Sequence, residues 1–304
     1  MSTNLIHYTN CPLCFGNELV PIFKVRDYTV SQEEFMLVEC TSCHLRITQD
    51  VPGTNSIGRY YKSQEYISHS ESKKGLINQM YLIARKRTLT GKLNLVRKFT
   101  GLNRGRHLDM GAGTGAFVHL MNLSGWTSTG IEPDGDAREN AIALHGTRLQ
   151  DIDSFYHLEE RSLDAITLWH VLEHVHELHQ YLDQLMTIIK PAGKLFIAVP
   201  NYASWDANHY KQYWAAYDVP RHLYHFSPAP MRRLIASKDM VLEAIIPMWY
   251  DSFYISLLSE KYQSGRSGLL AGFLNGTKSN LKAAADHEYC SSLVYIIGKR
   301  GNRD

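Results

Sequence analysis

Three groups of residues in this 304-residue chain have the types and spacing to do chemistry. The first is a run of histidines: four of the fifteen fall in HVLEHVHELH, from His170 to His179. His170 and His174 stand four apart with Glu173 between them, so one helical turn would put all three on one face. An imidazole titrates near pH ~6.5, which suits it to removing a proton from an acceptor group. Further on, VPRHLYHFS adds Arg221, His222 and His225, expected on a loop over the same end. His170, His174 and His222 are therefore candidate catalytic bases or substrate-positioning groups. Two other readings stand beside this one: a divalent metal at Glu173 and His174, or histidines that only cap a helix and bond backbone. His176 and His179 are expected to face solvent.

The second group is four of the five cysteines, spaced as Cys11-Pro-Leu-Cys14 and Cys40-Thr-Ser-Cys43 with 25 residues between the pairs. Two such knuckles can offer four thiolates to one tetrahedral Zn²⁺, with the intervening residues as a hairpin. Four thiolates close the coordination shell, so this metal would hold structure and do no chemistry. Disulfides fit poorly, because MSTNLIHYTNC has no apolar run of signal-peptide length and the expected compartment is a reducing cytoplasm. Cys290 reads as a buried apolar residue.

The third group is RHLDMGAGTG, residues 106–115, a short apolar strand ending in an acid and a glycine turn. Gly111, Gly113 and Gly115 permit positive φ and a close approach of backbone to a ligand. Asp109 falls at the strand's carboxyl end, where ligands of open α/β sheets collect. Glu132, 21 residues past Gly111, has two oxygens for a ribose. The turn also satisfies G-x-G-x-x-G/A through Ala116, so by itself it does not separate a nicotinamide dinucleotide from other nucleotide-type cofactors.

The elements that must position these groups follow from hydrophobic periodicity. Residues 1–50 read as a zinc ribbon with strands FKVRDYTV and EFMLVEC, and 51–100 as a linker and helical lid. Tyr60, Tyr61, Tyr66 and Ile67-Ser-His69 precede a helix expected from about Lys73 to Phe99. Residues 101–304 alternate strand and helix: HLDM, TSTGIEP, a weak TRLQDID, LDAITLWH, KLFIAVP, MVLEAIIPMW and CSSLVYIIGK. That pattern predicts an α/β fold, a doubly wound, seven-stranded, mostly parallel sheet ending in a hairpin-like pair.

LDMGAGTGAF, GIEPD, DAITLWHVLEHV, KPAGKLFIAVPN and the terminal strand together resemble the ordered motifs of class I S-adenosylmethionine-dependent methyltransferases, over residues ~100–304. The zinc ribbon and YDVPRHLYHFS resemble a bacterial branch of that superfamily. The resemblance implies S-adenosylmethionine as cofactor. Asp109 with the backbone of Gly111, Ala112, Gly113 and Gly115 would hold its methionine part. Glu132 would take the ribose, Pro133 would flank the adenine, Asp151 and Ile152 would read the adenine edge and face, and Trp169 and His170 would lie beside the sulfonium. Some relatives hold Mg²⁺ with E-x-x-E-H on this turn; here His170 takes the first place, which implies a softer metal or none.

The acceptor is expected to be a small or medium-sized molecule methylated at oxygen or carbon. Asn201–Tyr224, with Tyr202, Trp205, Tyr210, Tyr213, Trp214, Tyr217 and Tyr224, is expected to wall its site, the alternative being a satellite core. Three rival functions are carried. One is an RNA methyltransferase, since residues 73–106 hold ten Lys or Arg and no acid. The others are an NAD-dependent oxidoreductase and a non-catalytic binding module. The net charge of +2 is that of an ordinary globular protein, and no apolar run is long enough for a membrane span. The stretch 253–285 and the oligomeric state are left open.

Overall fold

Two short strands, β1 (Leu5–Ile6) and β5 (Val51–Pro52), pair antiparallel and close the N-terminal segment on itself. Inside that loop β2 (Leu19–Arg26), β3 (Glu34–Cys40) and β4 (Arg46–Thr48) form the expected ribbon. The computed structural model describes residues 5–61, 76–266 and 268–300, and within 76–86 the backbone alone. Tyr66, Ile67, His69, the expected helix start at Lys73 and the side chains of Arg85 and Lys86 lie outside the described residues.

Helix α1 (Leu76–Thr100) leads into the main sheet. Its strands are β6 (Arg106–Met110), β7 (Thr127–Ile131), β8 (Leu163–Trp169) and β9 (Ile189–Pro200), all parallel, joined through α2 (Ala116–Leu123), α3 (Gly135–His145) and α4 (Leu178–Ile188). A short helix α5 (Trp205–Tyr210), the two-residue strand β10 (Tyr224–His225) and α6 (Pro228–Ala236) follow. The antiparallel pair is β11 (Met240–Pro247) and β12 (Ser292–Lys299), separated by the hairpin α7 (Asp251–Ser264) and α8 (Leu269–Ala285). The order is β11-β12-β9-β8-β6-β7, six strands rather than seven. The missing strand is TRLQDID. It makes one parallel bridge, Gln150 to Ile131, before a 3₁₀ turn at Ile152–His157 carries the chain away. Its polar alternation leaves Phe155 to anchor it in the core instead.

The ribbon and the α/β unit share one interior. Cys11, Leu13, Val38 and Ile47 belong to the same buried cluster as Leu168, Leu172, Val199 and Tyr224. Strand β10 leaves the α/β unit and adds to the ribbon sheet beside β4, with Tyr224 opposite Ile47. His176 and His179, expected in solvent, are instead half-buried and face the N-terminal segment: His176 Nε2 is 3.0 Å from Pro52 O and His179 Nε2 is 3.1 Å from Leu13 O. Among the described residues no helix is long and apolar enough to cross a membrane.

Arg221 fastens the two parts most firmly. It is 2% exposed and donates to Asp27 Oδ1 at 3.0 Å, Thr29 Oγ1 at 2.6 Å, both Asp218 oxygens, and Tyr60 O. Asp27, in the β2–β3 turn, also accepts backbone N–H bonds from Thr29, Val30 and Ser31. Removing one partner of such a pair leaves the other charge buried and uncompensated, which costs about 3–5 kcal/mol. Arg221→Ala should lower the urea midpoint accordingly, and a midpoint within experimental error of the parent would show that the clamp does not hold the parts together.

Candidate active site

The glycine turn after β6 is held in the conformation the sequence suggests, with φ of 64°, 52° and 72° at Gly111, Gly113 and Gly115. A Cβ at Gly111 would lie 2.6 Å from a Val171 methyl, so this turn packs directly on the exit of β8. A Cβ at Gly113 would meet nothing within 4 Å, so this part of the turn faces open space. Glu132, at the end of β7, reaches back over it. Its Oε2 accepts the Gly113 N–H at 2.8 Å and its Oε1 the Asp134 N–H at 3.0 Å. Beside it Arg138, which periodicity alone did not single out, donates to the carbonyls of Glu132 and Pro133 and pairs with Asp151 at 2.9 Å. Ile152 follows Asp151 at the start of the 3₁₀ turn.

Beneath the turn a buried polar chain crosses three strands. Thr167 Oγ1 donates to Asp109 Oδ1 at 2.6 Å, His107 Nε2 is 3.0 Å from that hydroxyl, and His107 Nδ1 is 2.7 Å from Ser128 Oγ. With the Thr167 proton given to Asp109, His107 donates from Nε2 and accepts from Ser128 at Nδ1. Burial holds His107 down to about 3, so it stays neutral. Burial pushes the Asp109 carboxyl up to about 7, against the opposing pull of the Thr167 hydroxyl and the Lys92 ammonium. Lys92, on α1, lies 4.3 Å over the Trp169 ring and is within the field of both Asp109 and Asp251. The Trp169 indole N–H is buried and has no acceptor among the described residues.

His170, the residue after β8, lies in the left-handed region at φ 59°, where a side chain other than glycine is strained. Its Nε2 lies 3.2 Å from Asp251 Oδ2, and its Nδ1 3.4 Å from Glu173 Oε1. Burial disfavours the imidazolium, but these two carboxylates prevail and raise His170 to about 10. Asp251, the first residue of α7, has no signal in the sequence that would have paired it with His170. The expected single helical turn over His170–His174 is a short 3₁₀ element at Leu172–His174.

Glu173, His174 and His222 form the second cluster. Candidate ligand atoms from the three lie within 4.8 Å of one another. Glu173 is fully buried; its Oε1 faces His170 Nδ1 at 3.4 Å, and neither oxygen has a hydrogen bond of ordinary geometry among the described residues. His174 Nδ1 is 2.9 Å from Arg221 O and 3.0 Å from Tyr61 Oη, and His222 Nδ1 is 2.9 Å from Ala216 O. A carbonyl at Nδ1 fixes the proton there and leaves Nε2 as the lone-pair nitrogen. His225 Nε2 is spent on the Thr48 hydroxyl at 3.0 Å.

The aromatic segment Asn201–Tyr224 does not line this mouth as expected. Tyr202, Tyr210, Trp214 and Tyr217 are buried with Val25, Phe35, Leu37 and Tyr60 in a satellite core between ribbon and hairpin. Their rings are large enough to fill the gap left by two loosely complementary surfaces, which is the packing alternative for such a run. The basic stretch is partly spent within the chain: Lys92 turns to the acids and Arg97 donates to Ser124 O, while Arg106 pairs with Glu159 at the surface.

Among the cysteines, Cys11 and Cys43 sulfurs are 3.5 Å apart, as are those of Cys14 and Cys40, and all four lie within 4.8 Å. The two knuckles match: Phe15 and His44, each four residues past its first cysteine, both take φ 62° and donate their N–H to Cys11 O and Cys40 O. Four sulfurs around Zn²⁺ at ~2.3 Å would stand about 3.8 Å apart, close to what is seen. Cys290 is fully buried, as expected.

Because Asp109 is raised toward neutrality, it stabilises the fold when protonated and weakens it when charged. That contribution is present below its unfolded value near ~4 and is lost as pH rises through about 7. Asp109→Asn should therefore melt higher than the parent at pH 8, with the gap closing toward pH 4. A gap that is absent or widens toward acid would contradict the burial argument.

The family profile described as a methyltransferase domain matches residues 81–239, just over half of the chain. The ubiquinone biosynthesis O-methyltransferase of Vibrio parahaemolyticus is 28% identical over 197 residues, 58% of this chain and 79% of that protein. The corresponding enzyme of Xanthomonas oryzae pv. oryzae is 26% identical over 53% of this chain and 72% of its own length. In fold, the chain is similar to a geranyl diphosphate methyltransferase in complex with S-adenosylmethionine (TM-score 0.52, 13% identity, 78% of this chain and 95% of that one). It is also similar to the geranyl diphosphate C-methyltransferase of Streptomyces coelicolor A3(2) (TM-score 0.51, 11% identity, 76% and 88%). With the ordered glycine turn, Glu132 and the six-stranded sheet, this match makes the chain a member of the methyltransferase-domain family, a class I S-adenosylmethionine-dependent methyltransferase.

Proposed function

We propose that this methyltransferase methylates a hydroxyl oxygen of a small acceptor lying against His170. The observation that carries the reading is the position of Lys92. The Lys92 ammonium lies 4.3 Å over the Trp169 ring; burial lowers its pKa, and what opposes this is the pull of Asp109 and Asp251 on a positive charge at this spot. That is what a cofactor with a cationic sulfur and an ammonium needs. The name of the curated relatives, an O-methyltransferase, supports oxygen as the accepting atom.

Bound S-adenosylmethionine supplies a methyl group on a sulfur that is already a good leaving group. The chain's work is then alignment, exclusion of water and stabilisation of the deprotonated acceptor. Asp109 and the backbone of Gly111, Ala112, Gly113 and Gly115 hold the methionine part, and the unpaired Trp169 N–H adds a donor there. Glu132, braced by two backbone N–H bonds, keeps lone pairs for the ribose hydroxyls. Pro133, Asp151 and Ile152 border the adenine, with Arg138 fixing Asp151. His170, held as the imidazolium between Asp251 and Glu173, orients the acceptor hydroxyl and stabilises the oxyanion left when its proton is lost to solvent before the methyl is transferred. His174 and His222, turned toward Glu173 rather than toward the glycine turn, act less directly.

Two metals belong to the same proposal. Cys11, Cys14, Cys40 and Cys43 hold a structural Zn²⁺, supported by the matched knuckles and the sulfur spacing. The possible second site is wider than Glu173/His174 alone, because His222 completes it. Glu173 is a fully buried carboxylate with one charge partner, His170 at 3.4 Å, and two imidazole nitrogens fixed by carbonyls beside it fit a divalent ion. Two nitrogens and one oxygen suit zinc, iron or cobalt better than Mg²⁺. Such an ion would fix the β8 exit against the loop bearing His222.

In calorimetry with S-adenosylhomocysteine, Glu132→Ala should lose at least ~10-fold in affinity. His170→Asn should bind within a factor of two of the parent and lose roughly 100-fold or more in kcat. Equal affinity losses in both would overturn the division of roles. The purified chain should carry about two metal ions. Cys40→Ser should remove one and Glu173→Gln the other; a single ion, lost only from Cys40→Ser, would refute the second site.

A further inference from the structure

Between Lys261 and Ala285 the sequence holds four Lys or Arg and no Asp or Glu. This stretch ends α7 and makes all of α8, and its side chains sort onto three faces. Gly272, Gly276, Ser279 and Ala283 are buried; a Cβ at Gly272 would meet Leu257 Cα of α7 at 2.8 Å and one at Gly276 would meet Phe253 Cα at 2.9 Å, while Ser279 Oγ donates to Asp206 Oδ1 of α5 at 2.8 Å. The small residues thus bring the two helices together with no long side chain between them. Leu270, Leu274 and Leu281, at i, i+4 and i+11, fall on the side away from α7, and Phe273 stands at the edge of that face, stacked on Phe253 of α7 with ring centroids 5.3 Å apart. They are exposed, Leu270 by 73% and Leu281 by 68%, and Leu269 at the helix start is exposed with them. Lys278 and Lys282 follow at the border of this apolar face.

Helices of this kind usually place charge opposite their buried face; here apolar side chains stand there and cations flank them. The one acid late in α7, Glu260, is turned inward, where its Oε1 accepts from Tyr210 Oη and Asn275 Nδ2. Asp286, just past α8, accepts the Glu288 N–H, and Glu288 pairs with Arg232. The exposed patch therefore presents leucines, a phenylalanine and the exposed Lys278 and Lys282.

We propose that the α7–α8 hairpin docks on an anionic lipid surface, with the α8 leucines and Phe273 in the acyl boundary and Lys278 and Lys282 at the headgroups. A protein partner would have to bring an acidic groove of matching length. A bilayer carrying anionic lipid offers both chemistries over any length, and apolar depth with basic flanks is the pattern of interfacial helices. The hairpin does not span; it lies on the surface. Its first residue is Asp251, which holds His170, so the lipid-facing element and the proposed acceptor end are joined through this pair. That last linkage, unlike the docking, rests on the acceptor reading above.

The test is co-sedimentation of the full chain with vesicles of phosphatidylcholine alone or mixed with phosphatidylglycerol. Binding should rise with the anionic fraction and fall with salt. Lys278→Ser with Lys282→Ser should weaken binding to anionic vesicles by roughly 25-fold, about fivefold per lysine. Leu270→Gln with Leu281→Gln should abolish it, while affinity for S-adenosylhomocysteine and the melting temperature stay unchanged. Parent protein left in the supernatant with anionic vesicles, or a dimer that the leucine substitutions dissociate in the absence of vesicle binding, would overturn the proposal. Loss of S-adenosylhomocysteine binding in the parent would instead count against the cofactor reading.

Discussion

The buried Arg221 clamp is the constraint on which the arrangement depends. One guanidinium gathers the β2–β3 turn through Asp27 and Thr29, the segment before α1 through Tyr60, and its own loop through Asp218. A charge 2% exposed is stable only while each of these partners stays in place. The same loop then carries His222 toward Glu173, and Leu223 N donates to Glu173 O at 2.8 Å. Ribbon, loop and β8 exit are therefore positioned by one another, and the histidines sit where that mutual grip puts them.

The floor of the site has a different logic. The chain from Ser128 through His107 and Thr167 to Asp109 is hydrogen-bonded throughout, and its last three members are buried, which makes it rigid. It ends on a carboxylate that burial drives toward neutrality. An acid kept in that state favours a cationic ligand, because binding supplies the charge compensation that the empty fold lacks. Lys92 provides part of it in the meantime.

Much of this was legible in the residues. Glycine spacing, Asp109, Glu132 and the two CxxC pairs carry local signals, since each depends on near neighbours in sequence. What stayed hidden depends on distant partners. Asp251 pairs with His170 across 81 positions, and nothing at either position announces the other. TRLQDID has the length of a strand but too little apolar alternation to join the sheet beyond one bridge. The aromatic run from Tyr202 to Tyr217 was ambiguous for a physical reason: rings that wall a cavity and rings that fill one have the same composition. His176 and His179 read as solvent-facing because the surface that meets them belongs to residues 13 and 52, far up the chain.

Strand β10 shows where this leads. Two residues of the α/β unit, Tyr224 and His225, complete the sheet of the ribbon, while His222, two positions earlier, faces Glu173. The ribbon is thus not a module that can be lifted off; its outermost strand is borrowed from the loop that builds the site. Order at one end of that loop is order at the other. By reciprocity, whatever effect a ligand that steadies His222 has on the strand that closes the ribbon, steadying that strand has the same effect on the ligand.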